Sequence, residues 1–225
     1  MDFGIEPEEF KEQELLNWFD MDYTWEQETT EGIFAPWAIY KEDFLKIGGH
    51  DPLYAPQSKE DSDIFNRFVL AGYKLVQTRE GCVYHMTCRG SRFADGAKRN
   101  PDGEVFMKNR ETDEWLAQNV RSTRNFIRKW GTMVEHDEYL KPIITPIYNI
   151  GFELTEAADV DTIRLLEPHC CYMVVPAAEE IAQYIEEEQP NTQYDLSKRL
   201  HQDLPNTPTY DIRVRFNPWR LNNNS

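Results

Sequence analysis

The chain has 225 residues, four cysteines and a formal net charge of -16, with 40% apolar and 28% charged residues. That composition excludes collagen-like, coiled-coil and fully disordered chains, and the acidity argues against nonspecific binding to nucleic acid or anionic membrane. No apolar run reaches the roughly 18 residues of a membrane span, and MDFGIEPEEF is too acidic for a leader, so a cytoplasmic, soluble protein with reduced cysteines is expected.

The charge is uneven. Residues 1–31 hold eleven acids and one base, Lys11, whereas residues 79–130 hold eleven bases against seven acids. A basic island in an acidic chain suits one bound anion; the alternative is a solvated face.

Along the chain, EPEEFKEQELLNWF (residues 6–19) reads as a helix with a loose apolar stripe of Phe10, Leu15, Leu16 and Phe19. GIFAPWAIY (32–40) reads as a buried strand or loop interrupted by Pro36. A short helix over 41–47 stops at Gly48-Gly49, and a Pro-containing loop follows. Ser58 to Asp61 fits a capping box that opens a helix to about Leu70, closed by Gly72. Strands are expected over 73–77 and around 82–85, a polar loop from Ala94, and helix over 104–130. A boundary falls near 131–142. Beyond it, strands over 143–154, 171–175 and 210–216 alternate with helices over 157–166 and 179–188. This divides the chain into a unit over 1–135 and a small α+β unit over 141–225.

The segment with most chemistry is Lys59-Glu60-Asp61-Ser62-Asp63-Ile64-Phe65-Asn66-Arg67-Phe68. It places three carboxylates in four residues at a helix start. The positive dipole and free amides there keep a carboxylate ionised, and such a group at a cleft mouth can act as a general base. The bland alternative is helix capping. Upstream, Gly48-Gly49 lets backbone approach a ligand closely; downstream lies Val83-Tyr84-His85.

In order and spacing, GIFAPWAIYKEDFLKIGGHDP and KEDSDIFNRFVLAGYKL resemble the second half of GT-A-type glycosyltransferase domains. The similarity is strongest to family 2 enzymes and the C-terminal region of β-1,4-galactosyltransferases, and it covers residues 30–93. It implies an α/β fold: a partial GT-A domain followed by the small α+β unit. It also implies transfer of a sugar from a nucleotide-sugar to an acceptor hydroxyl. Asp61 matches the general base and Glu60 an acceptor-binding carboxylate. Trp37, Gly48, Gly49, Asp63, Arg89 and Arg92 match positions expected to meet substrate, the arginines through the diphosphate. His85 matches a ligand of a divalent cation, manganese or alternatively magnesium. Cys82 falls at a second metal-contacting position, although thiolate favours a softer ion.

The family's nucleotide-binding half, with its Asp-x-Asp strand, has no counterpart in this sequence. Asp20-Met21-Asp22 has the form of that motif but reads as helix-end acids. A fragment or one part of a split enzyme is therefore expected, as is self-association to cover exposed strand edges. Two other readings stand beside it. Cys82, His85 and Cys88 offer three soft ligands for structural zinc, and a non-catalytic carbohydrate-binding or assembly module would also use the many aromatics.

Overall fold

The computed structural model describes residues 3–4, 7–21, 29–78, 80–81, 83–84, 113–204 and 210–220. Its helices are α1 (Glu12–Met21), α2 (Lys41–Lys46), α3 (Glu60–Leu70), α4 (Asp113–Trp130), α5 (Val160–Leu166) and α6 (Ala178–Glu188). Its strands are β1 (Ile150–Leu154), β2 (Tyr172–Val174), β3 (Leu200–His201) and β4 (Ile212–Phe216). The class is α/β.

In the C-terminal part the four strands form one parallel sheet in the order β3-β2-β1-β4. Alternation along each strand sends Ile150, Phe152, Leu154, Met173 and Leu200 into a common core with Ile163, Ile181 and Tyr184 of α5 and α6. Because α5 and α6 alternate with the parallel strands β1, β2 and β3, this stretch has α/β grammar rather than the segregated α+β arrangement expected. Glu153 lies on the other face of β1, satisfied by the Tyr210 hydroxyl and the Arg213 guanidinium.

The N-terminal part is mostly helix and extended loop. The acidic helix α1 buries none of its residues; in the expected apolar stripe Phe10, Leu15 and Phe19 are half-buried and Leu16 is exposed. The Phe3 ring instead lies against Trp18 and Tyr84, and Phe10 stacks on Tyr84 at 5.9 Å. Residues 32–40 form no strand. Residues 73–77 also join no ladder; Gln77 makes one isolated antiparallel bridge to Thr30. Without a continuous partner, apolar extended segments here remain loops. Ile64, Phe65, Phe68 and Leu75 form the core under them.

Helix α4 holds the two parts together. One side carries Phe126 and Trp130 against Tyr54. The other sends Arg124 and Arg128 to Glu188 and Glu167. Arg128 is wholly buried with Glu167, which also takes the Tyr184 hydroxyl at 2.9 Å. Burial alone would raise the Glu167 carboxyl; Arg128 and Arg199 outweigh it and hold it below the usual carboxylate range.

Candidate functional site

The site is built at the start of α3. The expected capping box is not made there. Ser58 has φ of 79° and Lys59, the N-cap residue, φ of 73°, with no side-chain cap bond. Two consecutive non-glycine residues in the left-handed region are costly, on the order of 1–3 kcal/mol each, and persist only where the surroundings fix them. Helix α4 supplies that fixing. Gln118 donates to the Ala55 and Gln57 carbonyls, Ser122 to Gln57 and Arg121 to Ala55.

This loop delivers three acids into three different environments. Asp63 is fully buried and committed internally. Its Oδ1 accepts from Trp130 Nε1 at 2.9 Å and pairs with Lys129 Nζ at 2.7 Å; its Oδ2 accepts from Arg67 Nε at 2.9 Å. The expected substrate contact at Asp63 thus gives way to a structural role. Glu60 is half-buried, and its Oε2 is a buried atom without a hydrogen-bond partner. Burial pushes its carboxyl above the usual range and the Asp61 charge adds to this, while nearby backbone amides and His50 pull the other way. Asp61 makes no hydrogen bond or ion pair with any described residue, and it borders a cavity of about 90 Å³.

That cavity is half open to solvent, and part of its wall comes from far along the chain. Its wall includes Phe34 and Phe65, Ser62 and Asn66 of α3, and Glu135 and His136 from the connection to the C-terminal part. The connection is a tight turn: Ile143 N–H donates to the Glu135 carbonyl, and the Asp137 carboxylate accepts from the Tyr139 and Lys141 amides. It lies directly on Gly32, where a Cβ would stand 1.7 Å from the Tyr139 carbonyl oxygen. Only glycine admits that approach.

Gly48 and Gly49, expected to meet substrate, instead end α2. Both have positive φ, 92° and 64°, and Gly49 N–H donates back to the Phe44 carbonyl at 2.9 Å. Arg67 fastens this turn to α3 by donating to the Ile47 and Gly49 carbonyls at 2.7 and 2.6 Å. Lys129 ties the next loop down through Asp51 at 2.6 Å. Burial would raise the Asp51 carboxyl, but Lys129 and the Leu53 amide hold it below the usual range. Trp37 belongs chiefly to an aromatic cluster with Phe44, Phe65, Phe68 and His50, its centroid 5.9 Å from both Phe65 and Phe68. Trp37 also lines an open apolar groove of about 650 Å³ between residues 32–39 and 73–78.

His85, Cys82, Cys88, Arg89, Arg92 and Asp22 lie outside the described residues, as does the polar loop from Ala94. Asp20 is exposed near the end of α1, consistent with a helix-end acid. Among the described residues no three His, Cys, Asp or Glu side chains converge as a metal site. The described residues therefore do not by themselves fit a divalent ion. Nor does any helix among them have the length and apolarity to cross a membrane.

In an open parallel sheet, a ligand crevice is expected at the carboxyl ends of strands where the order reverses, here between β1 and β4. That position is bridged. Thr155 N–H donates to the Phe216 carbonyl, and Trp219 Nε1 donates to the Ala157 carbonyl, both at 3.0 Å. The cavity beside Asp61 is thus the better-formed site. Asn66 falls within the 59–68 motif, whose charge pattern gives it no role. Glu135 and His136 carried no sequence signal as site residues, because only the fold brings the connection onto α3. No protein-family model matches the chain, and neither a curated protein nor a solved structure matches it.

Proposed function

We propose that the chain acts in glycosyl transfer, with Asp61 taking the proton from an acceptor hydroxyl as it displaces a nucleoside diphosphate from the anomeric carbon of a nucleotide-sugar. One observation carries this reading: of the three acids at the start of α3, Asp61 borders a cavity and makes no hydrogen bond or ion pair with any described residue, while Asp63 is saturated by Trp130, Lys129 and Arg67. An ionised carboxylate at a helix start, open to a small cavity, is the arrangement a general base requires. The strained Ser58-Lys59 turn that aims it also favours a functional reading over simple capping. Burial holds the Glu60 carboxyl above the usual range, and its Oε2, which has no hydrogen-bond partner, is available to an acceptor hydroxyl.

The donor side of the proposal rests on the resemblance: Arg89 and Arg92 for the diphosphate, His85 and Cys82 for manganese or magnesium. No step is drawn through the ion, since the described residues do not form its site. The test is calorimetric titration of the chain with uridine and guanosine diphosphate sugars, with and without Mn²⁺. Metal-dependent binding supports the proposal. Binding of glycan alone, with no nucleotide-sugar bound under either condition, would favour a carbohydrate-binding module instead. In a reconstituted transfer assay, Asp61→Asn lowers the rate by roughly 10²–10⁴-fold.

A further inference from the structure

We infer that the outer edge of β4 docks an extended acidic segment of a partner protein, which joins the four-stranded sheet as a further strand. The surface belongs to the C-terminal sheet and goes beyond the glycosyl-transfer reading, on which it does not depend.

The ladder decides which backbone groups are free. In the parallel pairing with β1, Ile212 N–H donates to the Asn149 carbonyl, and the Phe216 carbonyl accepts from Thr155 N–H. Ile212, Val214 and Phe216 therefore turn their backbone groups toward β1, and the alternation turns those of Arg213 and Arg215 outward. Neither arginine makes a backbone hydrogen bond on that side among the described residues. Two N–H and two C=O groups are left in the repeat that an added strand pairs with. The opposite edge offers less, since β3 is only Leu200–His201.

Side chains define the occupant. Ile212 and Val214, 41% and 37% exposed, share one face; Arg213 and Arg215 share the other. Residues 211–220 hold three arginines and one acid in a chain of net charge -16. The acid, Asp211, accepts from Asn149 N–H at the start of the strand. Arg213 is paired with Glu153, whereas Arg215 forms no ion pair with any described residue. A second copy fits poorly. Antiparallel self-pairing in full register sets each Arg215 opposite an Arg213, whose Glu153 partner is already held by Arg213 and Tyr210. Like charges directly opposite are destabilising, and opposite charges are favourable. The fitting strand alternates apolar residues, against Ile212 and Val214, with acids against the arginines.

The test titrates the full, ¹⁵N-labelled chain with acetyl-Val-Glu-Val-Glu-Val-amide and follows backbone amide shifts and hydrogen exchange. The Arg213 and Arg215 amides should shift and exchange more slowly, while the Ile212 amide, already bonded to β1, keeps its exchange rate. Acetyl-Val-Lys-Val-Lys-Val-amide should bind about tenfold more weakly. N-methylation of the two glutamate amides should weaken the acidic peptide about tenfold by removing two donors. Arg215→Glu, at an exposed side chain, should reverse the preference between the two unmethylated peptides. Equal binding of the acidic and basic peptides overturns the proposal. So does indifference to N-methylation, or no binding at millimolar peptide. Protection of the Arg213 and Arg215 amides that grows with protein concentration in peptide-free samples overturns it in favour of a second copy.

Discussion

Replacing Arg128 by methionine should cost about 3 kcal/mol and uncouple the two halves of the molecule. Arg128 donates from Nη2 to Glu167 Oε2 at 2.6 Å and Glu188 Oε1 at 2.9 Å, and from Nε to Glu167 at 2.9 Å. Breaking a buried pair by removing one partner costs roughly 3–5 kcal/mol, because a charge is left behind without compensation. Here neither carboxylate is wholly orphaned. Glu167 keeps Arg199 and the Tyr184 hydroxyl, and Glu188 keeps Arg124 at 2.5 and 2.8 Å. The loss therefore sits near the lower figure. With a urea slope of about 3 kcal/mol per molar, the midpoint should fall by about 1 M. Tryptophan fluorescence, to which five of the six tryptophans contribute from residues 18–130, and far-ultraviolet circular dichroism should give coincident transitions in the wild type and separated ones in the variant. The double variant R128M/E167M should recover part of the loss by removing the unpaired acid. A midpoint shift below about 0.3 M, with coincident transitions, would refute the view of α4 as the coupling element.

Gly32→Ala should cost about 1–3 kcal/mol and open the cavity beside Asp61, since its Cβ would overlap the Tyr139 carbonyl; amide exchange over residues 134–142 reads this directly. Arg67→Leu should cost about 2–3 kcal/mol and speed exchange of the Gly48 and Gly49 amides, because the turn loses two charge-assisted hydrogen bonds. For Glu60, whose folded carboxyl titrates above its ordinary value, stability is highest below that value and declines as pH rises through the folded one. Glu60→Gln should remove that decline, so the variant gains on the wild type as pH rises above the ordinary value of 4.5 in parallel thermal melts. Glu167 has the opposite sign: its contribution is present above the ordinary value of 4.5 and is lost as acid takes the pH through its lowered one.

Local pattern made much of this structure legible. The helix α2 and its Gly48-Gly49 stop, α3 with its acidic first turn, α4, and the order β1, α5, β2, α6 and β4 follow from apolar spacing and end signals, although β1 occupies only Ile150–Leu154 of the strand expected over 143–154. What local pattern could not supply was partnership. GIFAPWAIY has strand composition, but a strand exists only where a neighbour pairs with it, and this segment stays a loop. Ser58 has the chemistry of an N-cap, but α4 pins the preceding loop so that its backbone takes a left-handed turn instead. Asp63 looked as available as Asp61. Their difference comes from Trp130 and Lys129, more than sixty residues away. Glu135 and His136 reach the cavity only because Gly32 lets their turn lie flat on the 32–34 segment.

Glycosyl transfer as proposed requires Asp61 and His85 to serve one cleft, a requirement open to direct measurement. It is tested most directly by NMR of the chain with uridine diphosphate and substoichiometric Mn²⁺, observing the backbone amide of Asp61 and the ring of His85. Glycosyl transfer predicts paramagnetic broadening of both, reversed by chelation. Broadening at His85 that leaves the α3 amides sharp would contradict it.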